Sequence, residues 1–410
     1  MSQDLIACDP RTAGTLYKDM KLKPNILDEI NSDPTADCAV SSPVSELASM
    51  VSQSDSVVLE DESGRVTLNL TADGIPKEDK LVTGVVMAFM GTLAEDGSLV
   101  VEDCCAPGLP PQVETGLAAA GADAQSETES DPLLLLVSGL SLGDPKSDPL
   151  ACDLLIDYVT GNLGGSADHA EAARIAQVII AGSSCYNAPA AAQGGKPDAG
   201  AVRAKHRADA SPLQELDLIL TRLCASVPVD VMSGPGDPCC MYMPQQPMLP
   251  CLLPSAKTYN TLRTTTNPYE AIISVKSDKN GKGKPAEDAR VLLMGTSGQN
   301  VADIIKYSTL DGSLDILERL LEWRHLAPTA PDTLACFPMR DEDPFIIEQS
   351  PHIFFAGNQR EFGATTMTGD DKQKVLVVSV PSFAATHTAV LVNLRTLQAR
   401  PIDFSCDAFE

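Results

Sequence analysis

Leu133-Leu134-Leu135-Leu136-Val137 is a wholly apolar run that stops at Ser138-Gly139. It is far too short for a membrane span and is strand-sized, so it reads as a β-strand. Four further apolar runs also end at glycine: residues 178–181 before Gly182, 227–232 before Ser233-Gly234, 291–294 before Gly295 and 353–356 before Gly357. Helical patterns lie between them at 150–158, 170–176, 213–223 and 314–323. Strands alternating with helices predict an α/β layered domain. Two late runs, 375–380 and 389–394, are expected to close the chain as a hairpin-like pair. Sites in such domains lie outside the carboxyl ends of the strands. Glycine there lets the backbone turn sharply or approach a ligand. The five glycine ends therefore frame a candidate site.

Upstream, residues 1–106 read differently, as strands at 12–17, 56–60, 65–70, 81–93 and 98–104 with a short helix at 24–30. Asp61-Glu62-Ser63-Gly64 and Ala94-Glu95-Asp96-Gly97 are turn signals, each joining two of the strands as a hairpin. Strands curved by glycines such as Gly84 and Gly91 suggest a small OB-fold barrel, with a β-sandwich fragment as the alternative. The expected layout is an OB-fold over 1–106 with a loop at 32–56, a linker at 107–131, and the α/β domain over 132–410 with loops at 187–212 and 277–290. The three Ser-, Pro- or Ala/Gly-rich segments, 32–56, 107–131 and 187–212, have too little apolar surface to order themselves.

The whole chain has 410 residues, and 43% hydrophobic content is enough for sizeable cores. Its 56 acidic residues outnumber 30 basic ones, leaving a net charge of −26. Such an excess repels phosphates and argues against a general nucleic-acid binder. The 12 cysteines include the adjacent pairs Cys104-Cys105 and Cys239-Cys240 but no CxxC. That placement supports neither a disulfide framework nor structural zinc. No secretory signal opens the sequence and no stretch approaches ~20 apolar residues, so reduced thiols in cytoplasm or nucleus are expected.

The strand ends carry Ser138 and Leu140, then Gly182-Ser183-Ser184, Gly236-Asp237, Gly295-Thr296-Ser297-Gly298 and Gly357-Asn358-Gln359-Arg360. A two-metal hydrolase needs Asp, His and Asn at such places. One carboxylate, two carboxamides and no histidine do not make that set. His169, His206, His325, His352 and His387 all lie elsewhere and read as surface or structural residues. Gly139-Leu140-Ser141-Leu142-Gly143 fits G-x-S-x-G, but Pro145 and Pro149 delay the helix that a nucleophile elbow requires at once. Gly281-Lys282-Gly283-Lys284 lacks the full phosphate-loop pattern and reads as a hairpin tip. Residues 239–253, rich in Met, Pro and Cys, read as a partner surface or as an internal brace on the sheet.

Several long strings carry a resemblance. They are Met243-Pro244-Gln245-Gln246-Pro247-Met248-Leu249-Pro250-Cys251, Thr266-Asn267-Pro268-Tyr269 and Gly295-Thr296-Ser297-Gly298-Gln299-Asn300-Val301. Further on come Arg324-His325-Leu326-Ala327-Pro328-Thr329-Ala330-Pro331-Asp332 and Phe354-Phe355-Ala356-Gly357-Asn358. Gly14-Thr15-Leu16-Tyr17-Lys18 and Leu81-Val82-Thr83-Gly84 extend the match upstream. In order, and over nearly the whole chain, they resemble the small (second, B-type) subunits of DNA polymerase delta. The resemblance implies an N-terminal OB-fold followed by a calcineurin-like phosphoesterase α/β sandwich lacking metal ligands. Ser138, Leu140, Ser183, Asp237, Asn358 and Gln359 would then occupy the degenerate site positions. It implies no catalytic residue, no metal and no cofactor. The implied role is a non-catalytic accessory subunit for replication and repair synthesis in the nucleus. Its partners would be the C-terminal metal-binding domain of the catalytic subunit and a third, clamp-binding subunit, with DNA reached only through the complex and no membrane.

Three features depart from the family pattern: a start almost at the first barrel strand, where the family's N-terminal helical segment is expected to be missing; the Ala/Gly-rich loop 187–212; and an insertion at 277–290 after the Asn-Pro-Tyr strand. Two other functions remain open at the sequence level. One is an active hydrolase, either a metallophosphodiesterase or an enzyme acting through Ser141. The other is a single-stranded-DNA-binding OB-fold using Tyr17, Phe89 and Arg65.

Overall fold

The structure, a computed structural model, describes residues 11–23, 49–72, 74–113, 131–186, 199–275, 289–340 and 342–405. The expected helix at 24–30, the Gly281-Lys282 motif and most of the loop at 32–56 lie outside these residues.

Strands β1 (Arg11–Asp19), β2 (Ser56–Glu60), β3 (Arg65–Asn69), β4 (Val86–Leu93) and β5 (Leu99–Cys105) close into a barrel in the order β1-β2-β3-β5-β4. The expected OB-fold is therefore present. Side chains alternate along each strand, which sends Leu16, Val57, Leu59, Leu68, Met87, Phe89, Leu99 and Val101 inward. The hairpin turns are fixed by their acids. The Asp61 carboxylate accepts the Ser63 and Gly64 amides, and Asp96 accepts that of Ser98. The run 81–93 is not one strand as expected. Strand β4 begins at Val86, after Gly84 and Val85 have each bonded to the Leu16 backbone and Gly84 has turned the chain at φ +90°. A Cβ on Gly84 would lie 1.8 Å from the Pro328 carbonyl oxygen, so only glycine permits this approach.

The rest of the chain builds two packed sheets with helices outside them. In order come β6 (Leu133–Val137), α1 (Pro149–Val159), α2 (Ser166–Ala172), β7 (Ile175–Ala181), α3 (Ala199–Cys224), β8 (Val229–Met232), β9 (Leu262–Thr265), β10 (Tyr269–Val275) and β11 (Ala289–Thr296). They are followed by α4 (Gln299–Tyr307), α5 (Ser313–Glu322), β12 (Ile353–Gln359), β13 (Gly363–Thr368), β14 (Lys374–Pro381), α6 (Phe383–Thr386), β15 (Thr388–Asn393) and β16 (Gln398–Asp403). One sheet has the order β16-β15-β6-β7-β8-β9 and the other β10-β11-β12-β14-β13. Leu134, Leu136 and Ile179 meet Leu293, Phe355 and Val378 between the sheets. Leu133, Leu135, Val178 and Ile180 face outward under Leu155, Ile156, Leu216 and Leu220 of the helices. Burial on both faces explains the unbroken apolar run in β6. The architecture agrees with the expected phosphoesterase-like sandwich. Among the described residues no helix is long and apolar enough to cross a membrane.

Three expectations need correction. The two late strands are not a hairpin: β14 belongs to the five-stranded sheet and β15 to the six-stranded one, with α6 carrying the chain across. Of the expected loop 187–212, residues 187–198 lie outside the described residues, and from Ala199 onward the chain is helix α3. Its alanines, lysine and arginines favour helix, and Pro212 inside it forgoes a single backbone donor. Gly143 makes room for that ring, since a Cβ there would lie 2.4 Å from Pro212 Cγ. Third, residues 107–113 of the expected linker are tied down. The Arg324 guanidinium donates to the carbonyls of Pro107, Gly108 and Leu109 at 3.0, 2.7 and 3.0 Å. Gln112 Nε2 donates to the Pro351 and Lys374 carbonyls, and His352 Nε2 lies 3.1 Å from the Val113 carbonyl oxygen. A proline-rich strap with few amide donors is thus satisfied through its carbonyls. Likewise Ala289 and Arg290, placed in a loop from the sequence, start β11.

Barrel and sandwich share one core. Leu81, Val82 and Val85 pack in the same apolar cluster as Val301, Ile304, Leu317, Leu320 and Trp323. Buried Lys18 donates from Nζ to the Tyr307 carbonyl at 3.0 Å, and the Thr309 amide donates to the Asp79 carbonyl at 2.9 Å. Burial pulls the Lys18 pKa below the ordinary lysine value, against the opposing pull of Asp55, Asp79 and Glu78.

Candidate functional site

The carboxyl ends of β6, β7, β8, β11 and β12 converge at one edge of the sandwich. Ser138 Oγ accepts the Asn358 amide at 2.8 Å and donates to the Pro381 carbonyl at 3.0 Å. Asn358 sits at φ +57°, and its Nδ2 donates to the Ser297 carbonyl at 2.8 Å. Ser183, at φ +54°, donates from Oγ to the Pro235 carbonyl at 3.0 Å. These left-handed conformations are uncommon outside glycine and are held here by the surrounding bonds.

Ser297 occupies the middle. A Cβ placed on Gly182 or Gly234 would lie 2.4 or 2.3 Å from Ser297 Oγ. On Gly357 it would meet the Ala181 carbonyl oxygen at 2.6 Å and Ser138 Cβ at 2.9 Å. The strand ends therefore pack against one another, and the Ser297 hydroxyl takes the space between them.

Asp237 is buried, and its carboxylate faces backbone. Oδ1 accepts the Cys185 amide and Oδ2 the Gly234 amide, both at 2.9 Å. Burial pushes its pKa up to about 7, although those amide bonds favour the ionised form. This residue braces the β7 and β8 loops. The remaining two expected positions are not in the cluster. Leu140 packs in the core beneath the helices. Gln359 is buried, donates to the Gly357 carbonyl at 2.6 Å and accepts the Ser313 hydroxyl at 2.8 Å.

The site does not fit a pair of metal ions. The Ser138 and Ser183 hydroxyls and the Asn358 amide are bonded to backbone carbonyls, the Ser297 hydroxyl accepts the Asn358 amide at 3.3 Å, and the Asp237 carboxylate is turned to amide donors. Among the described residues no group of three His, Cys, Asp or Glu is placed to hold an ion. Among the described residues no serine nucleophile is assembled around Ser138 or Ser141 either. Ser138 Oγ has carbonyls as acceptors rather than a side-chain base, and Ser141 is followed by turns until α1 starts at Pro149.

Sequence reasoning passed over the network beside this cluster. Asn267 Nδ2 donates to Gln245 Oε1 and Gln299 Oε1 at 2.8 and 3.0 Å, and Gln299 Nε2 reaches Gln245 Oε1 at 2.9 Å. Gln245 Nε2 donates to the Cys240 carbonyl at 3.0 Å, and Asn267 Oδ1 accepts the Ser297 amide at 3.2 Å. All three amides are buried. They lock the Met-Pro-Gln-Gln-Pro, Asn-Pro-Tyr and Gly-Thr-Ser-Gly-Gln strings together. The signal was present in the strings themselves.

Comparison with known proteins gives matches over both parts. The family of the DNA polymerase delta subunit OB-fold domain matches residues 11–104, and that of the DNA polymerase alpha/epsilon B-subunits matches residues 134–364. A rice (Oryza sativa subsp. japonica) protein named DNA polymerase delta small subunit is 40% identical over 393 residues, covering 96% of this chain and 82% of its own. The Arabidopsis thaliana protein of that name is 38% identical, with 96% and 81% covered. A Drosophila melanogaster protein named DNA polymerase delta subunit 2 is 34% identical, with 96% and 83% covered.

Proposed function

The chain belongs to the DNA polymerase delta small-subunit family, and from that premise we propose that it is a non-catalytic accessory subunit that holds the polymerase delta complex together. The observation that carries the reading is the packed strand-end cluster, in which Ser297 lies between Gly182 and Gly234 and the Asp237 carboxylate is turned to backbone amides. A hydrolase frame with no room at its centre serves as a rigid body, with value in its outer surfaces. On this reading the partners are the C-terminal metal-binding domain of the catalytic subunit and the third, clamp-binding subunit. The work is replication and repair synthesis in the nucleus. The net charge of −26 suits a subunit that meets DNA only through its partners.

Co-expression of the full chain with the polymerase delta catalytic subunit tests this. A stable stoichiometric complex is expected from gel filtration. The purified chain with added manganese should not turn over a chromogenic phosphodiester. Absence of a complex, or turnover that disappears with a Ser297 or Asp237 substitution, would overturn the proposal.

A further inference from the structure

Two short extended segments lie side by side at the edge of the strand-end region. The Met243 amide donates to the Ala335 carbonyl at 3.0 Å, and the Phe337 amide donates to the Met243 carbonyl at 2.9 Å. Met243 is buried beneath this pair, and Gln245 behind it is fixed by the amide network. Above the pair stand side chains with no such cover. Tyr242 is 50% exposed and Phe337 36%, and their rings lie 5.6 Å apart. Met241 and Met339, on the same two segments, are 53% and 54% exposed.

A single exposed apolar residue on a protein surface needs no explanation. The paired rings of Tyr242 and Phe337, with exposed Met241 and Met339 on the same two hydrogen-bonded segments, are apolar surface of the kind that marks a contact site. Aromatic residues and methionine are also the types enriched in interface centres. The rigid base means that little ordering entropy is lost on docking.

The occupant can be argued from charge. Glu342 and Asp343 follow the patch in sequence and are exposed, with Arg340 among them. The chain as a whole carries −26. A second copy would bring like charge against like charge, and a nucleic acid would do the same. A partner with an apolar contact bordered by cations meets both the rings and the field.

We propose that Tyr242, Phe337, Met241 and Met339 form a docking surface for a segment of another polymerase subunit, one with an apolar contact flanked by lysine or arginine. This rests on the complex-subunit reading above. It resolves the two readings of residues 239–253, since the buried side of the stretch is a brace and the exposed side is the contact.

The test uses the full chain assembled with the other subunits of the polymerase. With photoreactive benzoylphenylalanine in place of Tyr242, irradiation should cross-link another subunit, and mass spectrometry should place the link on an apolar segment with Lys or Arg within a few residues. Tyr242→Asp combined with Phe337→Asp should weaken assembly by about tenfold or more, as expected for central interface aromatics. Leu93→Asp, an exposed apolar position on the barrel, is the control and should leave assembly unchanged. An unaltered melting temperature shows that the double variant folds. If the parent chain forms no complex, the subunit reading fails and the docking surface falls with it. If the parent assembles while the double variant assembles equally well, the docking surface alone is overturned. The same holds if Tyr242 links only to a second copy, to DNA or to nothing.

Discussion

Asp237 moves from water into a site where it meets backbone amides and no cation. Burial raises its pKa from the ordinary 3.8 to about 7, so the neutral acid is the favoured folded form only below about pH 7. The contribution of this side chain to stability is full below the unfolded pKa and is lost as pH rises through the folded one. Asp237→Asn removes the titration. Between pH 5 and 8 the parent should lose about 3 kcal/mol relative to this variant, measured by urea unfolding at each pH. An unchanging difference would mean that the carboxylate stays ionised. At Gly182, alanine must place its Cβ against Ser297 at φ +80°. Gly182→Ala should cost about 2 kcal/mol or more, and Ser297→Gly in the same chain should recover part of it. Ser138, Ser183 and Asn358 could be placed at strand ends from the apolar runs that precede them, whereas Asp237 lies five residues beyond the end of β8. Leu140 is at a strand end too, but its side chain packs in the core beneath the helices. Ser297 was seen at a strand end, but nothing in the sequence says that two facing glycines leave it room.

At the level of elements, Arg324 holds the strap 107–113 by three carbonyls. Arg324→Leu should free that strap while leaving the sheets intact. Hydrogen exchange over 107–113 is expected to rise by at least tenfold, with protection in β12 and β14 unchanged. Equal protection in the variant would show that Gln112 and His352 suffice. The strap could not be read from the sequence, because a Pro-rich segment looks the same whether its carbonyls face water or an arginine. The doubly buried strands were the easy elements, since both faces must be apolar. Strands β9, β13 and β16 were unread because they are sheet edges with half-exposed, mixed side chains. The pairing of β14 and β15 was misjudged for a related reason. Two apolar runs in succession look like a hairpin unless the four residues of α6 are recognised as a crossing between sheets.

Across the whole molecule the barrel and the sandwich are bonded through one apolar cluster, with Gly84 against Pro328 at the seam. Calorimetry of the full chain should therefore show one unfolding transition rather than two. Gly84→Val should lower its midpoint, because a side chain there meets the Pro328 carbonyl and φ +90° disfavours it. Two well-separated transitions in the parent would contradict a shared core. The packed strand ends have a different consequence, one that concerns descent. An aspartate or histidine arriving at 182 or 234 collides with Ser297 before any ion is bound, and vacating 297 alone leaves a void. At 182 and 234 a larger side chain and a smaller residue at 297 would therefore have to arrive together, since either change alone is destabilising.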